Sequence, residues 1–169
     1  MYPECHVCPA NRQNGRRQLL LQIIQPGLAG MMDGSVSTLA PVFAAAFATR
    51  NCRVALLIGL ATSIGAGISM GLSEAVSDDG KLTGRGRPWV RGAVCGVMTF
   101  LGGVGHTLPY LLSSFWTATA LATAVVLFEL AVITWIRHRY MQTAWLPAAL
   151  QVALGGALVF GVGILLGSS

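Results

Sequence analysis

The chain has 169 residues, 54% of them hydrophobic and only 10% charged, against about 25% charged residues in an ordinary soluble domain. So few ions cannot cover the surface of a water-soluble fold, and the apolar content and lack of a three-residue glycine period exclude disordered and collagen-like chains. The expectation is an all-α, polytopic membrane protein.

Residues 1–18 are polar and lack the apolar core of a leader peptide, so residues 1–20 read as a flexible cytoplasmic tail ahead of a membrane domain over 21–169. The tail's Cys5-His6-Val7-Cys8 offers soft metal ligands without the second half that completes a tetrahedral site. A frayed tail is the simpler reading. Only Cys5 and Cys8 are placed to meet, and on a reducing inner side no structural disulfide is expected.

A bilayer core of about 30 Å needs about 20 apolar residues in a helix. Charge-free runs then place five spans, at 21–49, 54–75, 90–112, 115–136 and 146–166. The long run 92–128 is divided at Pro109 and Ser113-Ser114, and Pro147 is tolerated in the first turn of span five. With the N-terminus inside, inner segments hold Arg12, Arg16, Arg17, Lys81, Arg85, Arg87, Arg91, Arg137 and Arg139, against only Arg50 and Arg53 outside. This bias predicts a cytoplasmic N-terminus and a C-terminus outside. The net charge of +5 therefore reflects topology and anionic headgroups, not nucleic acid, because no basic cluster is interleaved with aromatics.

Glycine, at 21 residues, recurs at small-xxx-small spacing: Gly30/Gly34, Gly67/Gly71, Gly92/Gly96 and Gly163/Gly167. Such pairs let helix backbones approach closely in lipid. Most are expected to pack within the bundle, with a homodimer contact as another use. Span one is longer than the bilayer requires. Its Gly30–Thr38 stretch precedes Pro41, which cannot bond to the carbonyl of Ser37, so a kink or break is expected there. Interrupted helices of this kind line cavities and mark binding sites in transporters.

Acids inside a span carry the strongest chemical signal, since Asp at a helix centre costs about 2.5–3.5 kcal/mol on insertion scales. Asp33 lies about 12 Å deep, counted from Gln25 at 1.5 Å per residue. It reads as a cation or proton site, or structurally as a carboxyl paired with Ser37. Met70 and Glu74 share one face of span two with Gly67, and Asp78 and Asp79 continue to its inner end. Mixed thioether and carboxylate donors suit a divalent first-row metal, although a methionine in a spanning helix also serves simply as packing. Glu129 in span four either joins this route or reaches towards Arg137, Arg139 or the surface. His106 in span three either relays protons or ligates metal, or else bonds to a backbone carbonyl beside Pro109. In order of depth, Asp78, Asp79 and Glu74, then Asp33, Met70 and Glu129, then His106 form a polar ladder across the bilayer. No HExxH, GxSxG or P-loop motif occurs, so no enzyme is expected, and uphill transport would draw on an ion gradient.

At Asp33-Gly34 and Ile68-Ser69-Met70-Gly71 the sequence resembles the vacuolar iron transporter family, and Pro88-Trp89 and the Gly-rich span five fit that pattern. Stretches 32–48, 67–88, 105–111 and 135–141 are similar to the membrane half of the membrane-bound ferritins, the erythrin–vacuolar iron transport fusions. The resemblance covers residues 25–169. It implies export of Fe²⁺, and often Mn²⁺, from the cytosol in exchange for protons, by a dimer of five-span subunits. It also implies that Asp33 and Met70 are membrane metal-site residues and that Glu74, Asp78 and Asp79 form the cytoplasmic entrance. No tightly bound cofactor is implied, and the expected location is a bacterial inner membrane. The sequence departs from the family at three places. The link 76–90 holds only two acids where eukaryotic members have a Glu-rich hairpin. Thr62 stands where those members have an acid. No Glu-x-x-His pair of a ferritin-like domain occurs, so a separate cytosolic ferritin-like partner would supply that part. The rival expectation is a membrane anchor for such a partner, without transport of its own.

Overall fold

The computed structural model describes residues 15–81, 83–141 and 145–168, and within them every regular element is helical. The first helix runs Gly15–Thr49. It passes through a π-turn at Leu20–Ile24, then α1 (Gln25–Ser37) and α2 (Leu39–Thr49). There follow α3 (Cys52–Ser77), α4 (Pro88–Thr107) with a 3₁₀ turn at Leu108–Leu111, α5 (Phe115–Met141) and α6 (Trp145–Ser168). Among the described residues four helices are long and apolar enough to cross a membrane: Gly15–Thr49, Cys52–Ser77, Pro88–Leu111 and Phe115–Tyr140. Their outward faces carry Leu57, Ile64, Ile68, Leu72, Val97, Leu101 and Leu127, all exposed, which only a hydrocarbon solvent makes inexpensive. Exposed Trp89 and Trp135 mark one end of the bundle and Trp116 the other, the positions of interfacial aromatic belts.

One sequence expectation is corrected here, and another, the break before Pro41, is met over a shorter stretch than expected. The first helix begins at Gly15, inside the stretch assigned to the tail; residues 1–14, with Cys5, His6 and Cys8, lie outside the described residues. The glycine-rich interval before Pro41 is helical throughout, and the interruption is confined to Thr38, whose backbone (φ −86°, ψ −15°) stays in the right-handed region. The cause is local. Pro41 leaves the Ser37 carbonyl without its helical donor, the Thr38 N–H turns to the Val36 carbonyl, and the Thr38 hydroxyl takes the Gly34 carbonyl at 2.7 Å in its place. Regular bonding resumes with Val42 N–H on the Thr38 carbonyl at 3.1 Å, so the disturbance stays within one turn.

At the other end the chain reverses in two residues. Arg50 adopts the left-handed region (φ 52°), and Asn51 caps α3 by accepting from Arg53 N–H at 2.9 Å and Val54 N–H at 3.3 Å, the usual N-cap arrangement.

The two halves of the bundle are packed differently. The half holding Thr38–Arg50 has an aromatic core: Phe43 meets Phe160 edge-on at 4.7 Å and Tyr110 at 6.5 Å, around buried Leu39, Val42, Ala118 and Ala122. Arg50 lies 5.0 Å from the Phe115 ring and 5.1 Å from that of Trp116, a cation held by ring faces at the polar boundary. The opposite half is packed on glycine. A methyl at Gly67 would stand 2.9 Å from the Gly96 carbonyl, and one at Gly96 would stand 2.6 Å from that of Gly67. Gly30 and Gly34 of α1 abut the backbone of α4 at Cys95 and Thr99. α4 is thereby held between α1 and α3. Gly163 and Gly167 of α6 rest on Ala40 and Ala44 of α2. Each expected glycine pair therefore occupies a helix contact inside this one chain.

Candidate ion-handling site

α3 ends at Ser77 because Asp78 turns extended (φ −165°, ψ 130°) and its carboxylate organises the connection to α4. It accepts from Gly80 N–H at 2.8 Å and from the Thr83 hydroxyl. Asp79 accepts from Lys81 N–H at 2.9 Å. The link needs positive φ at Gly80, Gly84 and Gly86, where only glycine is unstrained.

Arg91, on the first turn of α4, is the largest fully buried side chain of the described residues. Nε donates to Glu74 Oε1 at 2.9 Å. One terminal nitrogen donates to the carbonyls of Asp78 at 2.7 Å and Glu74 at 3.5 Å. The other donates to the Gly86 carbonyl at 3.4 Å and lies 3.8 Å from the Asp78 carboxylate. Arg85 reaches the same Glu74 oxygen at 3.0 Å. A guanidinium taken out of water is tolerable only with its donors spent in this way. Two carboxylates thus face two guanidiniums, and two carbonyls of the link and one of the end of α3 are drawn onto Arg91. Of the three acids expected at the inner mouth, Glu74 and Asp78 are engaged by arginine, while Asp79 is exposed.

The Thr83 hydroxyl and then the Gly80 amide, with smaller help from Arg91 and Arg85, hold the Asp78 carboxyl below its ordinary value of 3.8. A depressed folded value contributes stability that is complete above the unfolded value and fades as pH falls through the folded one. Protection of the Gly80 amide from hydrogen exchange should accordingly persist to about pH 4 and fail below it, whereas in Asp78→Asn it should be weak at every pH.

Deeper in the bundle, Asp33 is half-buried on α1, and its carboxylate accepts a hydrogen bond from Ser37 one turn on. Met70, also half-buried, lies one turn before Glu74. The buried thiol of Cys95 on α4 is within electrostatic reach of both Glu74 and Asp33. Asp33 and Glu74, from α1 and α3, therefore share a neighbourhood on either side of α4. Among the described residues no three His, Cys, Asp or Glu side chains converge on a common point. The acids form a spaced series with no closed cage.

The third group was the least legible in the sequence. His106, fully buried on α4, joins α1–α2 to α5. Its Nε2 is 2.9 Å from the Thr38 hydroxyl oxygen, and Nδ1 is 3.4 Å from Glu129 Oε2. The Thr38 proton is already committed to the Gly34 carbonyl, so Thr38 can only accept from the ring, and Nε2 carries hydrogen. Nδ1 then faces a carboxylate. Two lone pairs there would repel, so the contact is attractive only with one proton between imidazole and carboxyl. Glu129 is directed to His106 and Gly105, not to Arg137 or Arg139, and His106 bonds a hydroxyl rather than a carbonyl beside Pro109.

Sequence reasoning missed Thr38, Arg85, Arg91 and Cys95 as parts of these clusters. A usable signal existed for Arg91: it falls inside the expected span 90–112, where a charge requires a partner, and Glu74 of the preceding span lies at the same end. No family model, no curated protein and no solved structure matches the chain.

Proposed function

We propose that the protein is a divalent-metal exporter of the vacuolar iron transporter type, moving Fe²⁺ and Mn²⁺ out of the cytosol against protons. The observation that carries this reading is the buried His106–Glu129 contact. An imidazole and a carboxyl kept out of lipid and sharing one proton are what a proton-exchanging bundle requires. Asp33 supplies a carboxylate at membrane depth, and its resemblance to the family's metal position assigns it the metal; Met70, one turn before Glu74 on α3, is by the same resemblance the soft donor. Glu74, Asp78 and Asp79 lie at the inner entrance, where arginine engagement makes the first two a competed site rather than an open one. Glu129 belongs to the route through its proton.

A five-span bundle with its N-terminus in the cytosol accords with the arginine distribution. It accords too with α6, whose 24 residues rise about 36 Å at 1.5 Å each. A bacterial inner membrane and a homodimer complete the proposal.

The test is purified protein in sealed liposomes carrying metal- and pH-sensitive dyes. Fe²⁺ or Mn²⁺ should cross in response to an imposed proton gradient, with protons moving the opposite way. A membrane anchor for a ferritin-like partner would move neither. His106→Gln and Glu129→Gln should each lose metal-driven proton movement while the bundle stays folded. Proton flux unchanged in both would remove the pair from the mechanism.

A further inference from the structure

An apolar groove of about 340 Å³ opens between the first helix, α4 and α5, floored by Ile24, Gly27, Met31, Val94, Met98 and Ile136. Gly27 lets the first helix close on α4 at its floor, where a methyl would stand 3.4 Å from Val94 and 3.6 Å from Met98. The two methionines give it an adaptable wall. Towards the arginine-bearing end of the bundle the groove finishes at Trp135 and Tyr140, the residue types that settle at a headgroup boundary.

The mouth of the groove is cationic. Arg139 follows Trp135 by one turn on the same face of α5, with its guanidinium 5.9 Å from the Tyr140 ring. Arg16 and Arg17 precede Ile23 and Ile24 by two turns on the first helix, and both are exposed. Among the described residues no ion pair engages any of the three. The occupant must therefore be anionic at one end and apolar along the rest. A second copy of this chain offers little to match. Its Glu74 and Asp78 are held by arginines, Asp33 and Glu129 lie within spanning helices, and only Asp79 is left exposed among the described acids.

We propose that this groove holds an anionic phospholipid, with one acyl chain along Gly27 and Met98 and the phosphodiester against Arg139, Arg16 and Arg17. The chain fills apolar volume, and the arginines replace the counterions of the headgroup. The site is independent of metal movement.

The test is native mass spectrometry of the full-length protein in detergent, titrated with phosphatidylglycerol and phosphatidylcholine of identical chains. Phosphatidylglycerol should be retained with about tenfold preference. The exposed triple variant Arg16→Gln/Arg17→Gln/Arg139→Gln should bind both lipids equally, while Arg50→Gln/Arg53→Gln at the opposite end should keep the preference. Met98→Trp, which adds bulk at the groove wall, should lower retention of both. Equal retention of the two lipids by the unmodified protein overturns the proposal. So does loss of preference in the Arg50/Arg53 variant but not in the triple variant, competition by glycerol 3-phosphate as effective as that by lipid, or a dimer whose formation expels lipid.

Discussion

Arg91→Ala is expected to destabilise the folded bundle by about 3–5 kcal/mol, the usual consequence of removing one partner of a buried ion pair. The loss has three sources. Glu74 keeps only Arg85, which is itself partly exposed. The carbonyls of Asp78 and Gly86 lose their Arg91 donor, and that of Glu74 is left with the Ser77 hydroxyl. A void the size of a guanidinium opens between the end of α3 and the start of α4. In a chain of this length the effect corresponds to a drop in Tm of roughly 10 °C, readable by circular dichroism in detergent. Glu74→Gln should cost less, because Arg91 retains its carbonyl partners. A double-mutant cycle between the two positions should show strong coupling. If Arg91→Ala melts with the unmodified protein, the guanidinium is not holding the α3–α4 connection.

The second large effect is functional. Asp33→Asn is expected to abolish metal movement in liposomes, because an amide is a poor substitute for a charged oxygen ligand. Changes in outer-shell partners alone commonly cost about 10–100-fold in metal affinity, so removal of the ligand itself should exceed that. The fold should survive or gain. Asp in mid-span costs about 2.5–3.5 kcal/mol on insertion scales, and the neutral isostere still has Ser37 within reach. The decisive pattern is an unchanged or raised Tm with no flux. Full flux in Asp33→Asn would exclude the acid from the route.

The architecture was largely legible because it depends on properties that add along the chain. Hydropathy accumulates over 20 residues, so the helix positions were read to within a few residues, and small-xxx-small spacing identified contacts at Gly30, Gly67, Gly96 and Gly163 before any geometry was known. The site was less legible because it depends on which side chains meet. Arg91 counts with the other arginines when charges are sorted by topology, and its position inside span 90–112 signals a need for a partner without fixing that its Nε meets Glu74 and its terminal nitrogens meet backbone carbonyls. The His106–Glu129 contact joins positions 23 residues apart on helices whose relative rotation the sequence does not fix. Pro41 signals a break, and its confinement to Thr38 depends on a hydroxyl that takes the Gly34 carbonyl when the Thr38 N–H turns away, a pairing that spacing alone does not specify.

The contact of Gly163 and Gly167 with Ala40 and Ala44 bears on biogenesis. The surface that receives α6 is made at the start of synthesis and its occupant at the end, so the face of α2 stays uncovered until the last helix emerges. The α3–α4 hairpin is local and can close early, whereas α2–α6 pairing joins distant parts of the chain and must come last. A ribosome stalled before α6 would therefore leave a bundle whose glycine-bound half is assembled and whose aromatic half is still open to lipid.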